Sequence, residues 1–121
     1  MSTTLTLRDE TATGDVVGTR TLDFLTEETT VRELITRRVQ EEVREHNRAP
    51  AARAFPGLVR PADDRGEVDW ERQRDAALAA FAANGFFVLV GDRQVEDLDE
   101  TIRLELHTEV SFVRLVPLVG G

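Results

Sequence analysis

Cysteine, lysine and tyrosine are all missing from this sequence of 121 residues. Without a thiol there can be no disulfide, no thiolate-bound metal and no cysteine nucleophile. All 15 basic residues are arginine, so no side-chain amine is available for acylation and only the N-terminal amine is left. A GC-rich, bacterial-looking genome that favours arginine codons would leave the same signature. Long apolar runs are lacking too: none approaches the roughly 20 residues that span a bilayer. The opening MSTTLTLRDE has neither the basic flank nor the apolar centre of a secretory signal. A cytoplasmic protein without a membrane partner is therefore expected. Positive charge is in deficit, with 15 basic against 23 acidic residues, a net charge of −8 and a pI near 4.7. That balance repels a phosphate backbone, and no basic stripe interleaved with aromatics offsets it, which argues against nucleic acid as a partner.

What remains is the composition of a soluble globular protein, 40% hydrophobic and 31% charged. The length suits one domain, able to bury about two-thirds of its unfolded surface. Thr4-Leu5-Thr6-Leu7 alternates as a half-buried strand does, Thr13-Gly14-Asp15 supplies turn residues, and Leu22 and Phe24 share one face of a second strand over 19–24. These two strands read as a hairpin. Thr30 and Glu33 have the spacing of a capping box at a helix start. Val31, Leu34, Ile35, Val39 and Val43 then recur at helical steps, with Arg37, Arg38, Glu41, Glu42, Arg44 and Glu45 assigned to the opposite face.

From Arg48 to Glu67 no period survives, and three of the four prolines fall there beside two glycines, the mark of a long surface excursion. Asp69 is placed to cap a second helix over 70–83, with Trp70, Arg74, Ala77, Leu78 and Phe81 on one stripe and Gly85 as a left-handed stop. Phe86 to Val90 has strand length, Gly91-Asp92 turns the chain, and Arg93-Gln94-Val95 makes a short partner. After the acidic connection 96–100, Ile102, Leu104 and Leu106 alternate, either as a further strand or as a lead-in to the last one. Val110 to Val116 is the last strand, stopped by Pro117. Strict alternation puts Arg114 on the face of Val110 and Phe112, and a bulge near Val113 would relieve that conflict.

Strand, strand, helix, strand, short strand, last strand is the order of the β-grasp fold. The segment from Phe87 to Val95 resembles ubiquitin-like proteins and bacterial sulfur carriers, where a strand turns into a short strand through a small polar turn. Thr108-Glu109-Val110, then Phe112 to Pro117, then Gly120-Gly121, resembles the end of the molybdopterin-synthase small subunit and of the thiamin-pathway sulfur carrier. The likeness covers residues 3–46 loosely and 86–121 more closely, while 47–85 has no counterpart in the compact carriers. It implies an α+β fold over a single domain, 1–121: a mixed β-grasp sheet wrapped on one long helix, with 47–85 as an insertion carrying a second helix and 117–121 as a flexible tail.

The resemblance also implies a carrier and substrate rather than an enzyme. A partner of the ubiquitin-activating type would adenylate the carboxylate of Gly121, with Gly120 and Gly121 free of side chains so that the tail can thread a narrow channel. A thiol of that enzyme would then make a thioester passed on, with a conjugating enzyme, to lysines of target proteins. A sulfur donor would instead make a thiocarboxylate for a cofactor-synthase subunit. A non-covalent β-grasp interaction module is the third possibility. Leu115, Leu118 and Val119, with Pro117 ending the sheet pairing, are candidates for docking on the activating enzyme, although Leu115 and Val116 read more readily as core residues.

Other chemistry finds little support. His46 and His107 are far apart, without metal-ligand spacing, and read as surface residues. Asp63-Asp64 and the Asp97, Asp99, Glu100 cluster read as solvated loop charge. No glycine-rich loop opens a helix. No metal and no cofactor is expected. Trp70 and the apolar island Phe55-Pro56-Gly57-Leu58-Val59 read as tucked onto the body, with a partner-docking surface as the alternative.

Overall fold

The alternating start of the chain forms two antiparallel strands, β1 (Thr3–Thr11) and β2 (Val16–Phe24), in a computed structural model that describes residues 3–48, 58, 68–104 and 109–115. Gly14, at φ 92°, turns the chain between them, and its N–H donates to Thr11 O at 2.9 Å. Leu5, Leu7, Leu22 and Phe24 are buried on one face of this hairpin, as their period of two requires. A register shift between Asp9 and Glu10 leaves β2 one residue longer than its partner at the turn end.

A short strand, β3 (Glu28–Thr30), leads into the long helix α1 (Val31–Asn47). Thr30 Oγ1 accepts from Glu33 N at 3.1 Å, as a helix cap does. The chain beyond supplies further acceptors for the first turn: Glu100 O takes Val31 N at 3.1 Å and Leu98 O takes Arg32 N at 2.9 Å. The acidic connection 96–100 is therefore also a cap for α1, held by Arg32–Asp99 at 3.1 Å and Arg93–Glu100, with Leu98 packed on the core. Val31, Leu34, Ile35, Val39 and Val43 are all buried.

Helix α2 (Trp70–Ala82) starts at Asp69, whose carboxylate accepts from Glu71 N at 3.0 Å. It packs on α1 and is tied there by paired bonds between the Asn47 side chain and the backbone of Val68, at 2.9 and 3.0 Å. Its inward row is Gln73, Ala77 and Phe81. Arg74, expected on that stripe, is half-buried and lies over the Trp70 ring at 5.1 Å. The stop also differs from expectation. Asn84, not Gly85, takes the left-handed conformation at φ 61°. Asn84 N donates to Phe81 O at 3.0 Å and Gly85 N to Ala80 O at 2.7 Å, the paired closure of a Schellman motif. Asparagine tolerates that conformation, and Gly85 serves close approach instead, since a Cβ there would lie 3.1 Å from Ala80 O.

Strands β4 (Phe86–Val90) and β5 (Arg93–Val95) form the second hairpin, turned at Gly91 with φ 61°. The alternation at Ile102 and Leu104 resolves as a strand of its own: β6 (Thr101–Arg103) pairs with β3, outside the main sheet. The last strand, β7 (Glu109–Arg114), runs parallel to β1 and antiparallel to β4. The five-stranded order is β2-β1-β7-β4-β5, a β-grasp-like α+β arrangement with α1 across one face and α2 beside it. Within β7 the register to both neighbours is unbroken through Val113. The expected bulge there does not exist, and Arg114 does share the inner face with Val110 and Phe112.

Candidate functional site

The residues proposed to do the work lie where β7 ends. Pro117, Leu118, Val119, Gly120 and Gly121 fall outside the described residues, as do Val116, Leu106, His107, Asp63-Asp64 and, except for Leu58, the apolar island and the rest of the excursion 49–67. Leu115 is described, and its surface is 42% exposed. It lies one residue beyond the end of β7 and is a surface residue, not the core residue expected.

The two faces of the sheet differ sharply at this end. On the outer face the register lines up Val16, Glu10, Val113 and Phe87 across four strands. Val113, Phe87 and Leu89 are half-buried there, and Val16 and Val17 at the β1–β2 turn are mostly exposed. Together with Leu115 these residues make an apolar margin around the exit of the chain from the sheet. A neighbouring hollow of about 290 Å³ is lined by Phe87 with Asn84, Gln94 and Glu96.

On the inner face, apolar packing gives way to charge. Asp9 follows Leu5 and Leu7 on β1, and Arg38 and Glu42 follow Leu34 on α1. Both helix residues were assigned to the solvent face, yet Arg38 is 1% exposed and Glu42 4%. Arg38 donates to both oxygens of Asp9, the Nη2–Oδ2 bond being 2.7 Å, and its Nε donates to Glu42 Oε1 at 2.7 Å. Arg114 reaches Asp9 Oδ2 at 3.3 Å, and Leu58 N donates to the other Glu42 oxygen at 3.1 Å. The guanidinium of Arg38 also lies 4.4 Å from the centre of the Phe112 ring.

Burial works against the Arg38 charge, but the hydrogen bonds and charges of Asp9 and Glu42 outweigh it, so its pKa is raised. The planar fork of arginine suits this position, because it satisfies two carboxylates at once. Two cations and two carboxylates thus join α1, β1 and β7 just before the chain leaves the sheet. Their helical spacing had been visible; that they face inward had not.

His46, expected at the surface, is 4% exposed, because the α1–α2 contact covers the end of α1. Trp70 and Leu58 are partly buried against the core, as the tucked reading of both has it. Among the described residues no group of three or more histidine, aspartate or glutamate side chains is arranged to hold a metal. No described helix is long and apolar enough to cross a membrane. Comparison with protein-family models, with curated proteins and with solved structures yields no match.

Proposed function

We propose that this chain is a ubiquitin-like protein modifier, activated at the carboxyl group of Gly121 by an adenylating enzyme and conjugated to other proteins. The observation that carries the reading is the strand order. The last strand sits in the middle of a β-grasp-like sheet, parallel to the first, and leads through an exposed Leu115 toward Gly120-Gly121. A strand held on both sides is a firm base for a tail that must reach into another protein's active site. The apolar margin of Val113, Phe87 and Leu115 is suited to docking on that enzyme, and Pro117, Leu118 and Val119 would extend it.

In the first step a Gly121 carboxylate oxygen attacks the α-phosphorus of Mg-ATP and pyrophosphate leaves, giving an acyl adenylate. A cysteine thiolate of the partner attacks the carbonyl carbon and AMP leaves, giving a thioester. A lysine amine of the target then forms the C–N bond as the C–S bond breaks, and the thiol leaves with the proton. The carrier supplies the acyl group and the docking surface, and its partners supply the catalytic residues.

The likeness of 108–121 to sulfur carriers favours a second reading, in which a sulfur donor attacks the same adenylate and Gly121 becomes a thiocarboxylate. Intact mass of the protein from its native host, beside a variant lacking Gly120-Gly121, separates the two. Adducts joined through Gly121 to other proteins support the modifier, and one oxygen replaced by sulfur supports the sulfur carrier. A deletion variant that keeps full biological activity would instead point to a non-covalent module.

A further inference from the structure

Among the described residues, some arginines are demanded by the fold and others are not. Arg38 needs a planar fork to bind Asp9 and Glu42 together. Arg37 lies 4.7 Å from the Phe24 ring centre while donating to Asp23 O at 2.9 Å, and Arg74 lies over Trp70. Guanidinium geometry is used in each of these three. At exposed positions such as 44 and 103 an ammonium would serve as well. Arg44, with its side chain 66% exposed, pairs with Glu41 at 3.4 Å, and Arg103 is exposed on β6. Exposed pairs of that kind contribute little to stability, whichever cation makes them. The fold leaves room for lysine at the surface, and these 121 residues contain none.

Resting on the modifier reading above, we infer that this chain is excluded as an acceptor of its own kind, so that each modified site on a target carries a single copy. The final transfer needs a neutral amine to attack the carbonyl carbon of the Gly121 thioester. A lysine ammonium has a pKa near 10.4 and releases a usable fraction of neutral amine, whereas a guanidinium stays protonated throughout the working range. A copy already attached to a target therefore presents no side chain that can receive the next one. The C–N bond forms only on lysines of other proteins, with the partner's thiol as leaving group. The product is a terminal mark, read by its one copy of the apolar margin and not by linkage between copies.

The test is gain of function. Adducts are isolated from the native host expressing either the wild-type chain or the double variant R44K/R103K. That variant preserves charge at two exposed positions, and its folding is checked by its melting temperature. Peptide mass spectrometry then reads the links. Wild-type adducts are expected to exceed each target by 13.5 kDa per modified lysine, and the variant to add a ladder with Gly121 joined to position 44 or 103. Wild-type copies linked to one another through the N-terminal amine would overturn the inference, and so would a variant that still attaches singly, with the modifier reading intact in both cases. Absence of any protein adduct from either chain would remove that reading, and the inference with it.

Discussion

One helix face meets one sheet face, and its two ends are held by opposite kinds of interaction. Toward the start of α1, Leu34 and Ile35 are fully buried in a core that includes Leu5, Leu7 and Val110. A turn or two further along, Arg38 and Glu42 are buried nearly as deeply against Asp9 and Arg114. The apolar end stabilises by removing carbon from water, at about 1.5–3 kcal/mol for each large side chain. The polar end gains little on balance, since Coulombic attraction there mostly offsets the cost of desolvation. What it adds is specificity. Leucine packs against any apolar neighbour, whereas the Arg38 fork is satisfied in one arrangement, with α1, β1 and β7 in their present register.

The strongest way to break this contrast is Arg38→Ala. It leaves two carboxylates without their shared cation, one of them nearly fully buried, and should cost about 3–5 kcal/mol in denaturant unfolding. A loss under about 1 kcal/mol would mean that water enters the polar end freely. Leu34→Ala attacks the other end and should cost about 2–5 kcal/mol, through lost transfer energy and a residual cavity. An unchanged midpoint would show that this part of the helix face is not packed on the sheet. The quadruple replacement Asp9→Leu, Arg38→Met, Glu42→Leu, Arg114→Leu turns the polar end into a copy of the apolar one. It should lie within about 1 kcal/mol of wild type or above it, with amide exchange in β7 reporting any loss of fixed register. The smallest effect belongs to Arg32→Ala, whose ion pair with Asp99 is 49% and 79% exposed at its two ends. Its cost should stay under about 1 kcal/mol and vanish in high salt, whereas the cost of Arg38→Ala should persist there.

The same contrast explains how far the residues alone could be followed. Period-two and period-3.6 patterns located β1, β2, α1, α2 and β7, because each buries a mostly apolar face whose spacing is a local property, and an apolar run followed by the Gly91-Asp92 turn located β4 and β5. Arg38 and Glu42 were placed on the wrong side because charge is ordinarily a sign of exposure, and only the third partner, Asp9, 29 positions away by way of a hairpin, makes their burial tolerable. Arg114 looked like a phase error for the same reason, which a bulge near Val113 was invoked to repair. The pairing of β3 with β6 went unseen because no turn joins the two, which lie far apart in the sequence. At the candidate site, Leu115 could have been core or surface from its apolar character alone. The end of β7 one residue earlier decides that it is surface. Gly120-Gly121 was legible as a motif and lies outside the described residues.

The pairing of β7 between β1 and β4 also governs how the protein is made. During synthesis β1 leaves the ribosome roughly a hundred residues before β7, yet it is β7 that joins the two hairpins into one sheet. Until that strand arrives, β1–β2 and β4–β5 are separate ribbons, and two-stranded ribbons are marginal in water. The first turn of α1 likewise waits for the carbonyls of Leu98 and Glu100. Being built on long-range pairing, folding should be slow for the size of the chain. Chains truncated before Glu109 lack the strand that joins the two hairpins and should therefore stay open to proteolysis.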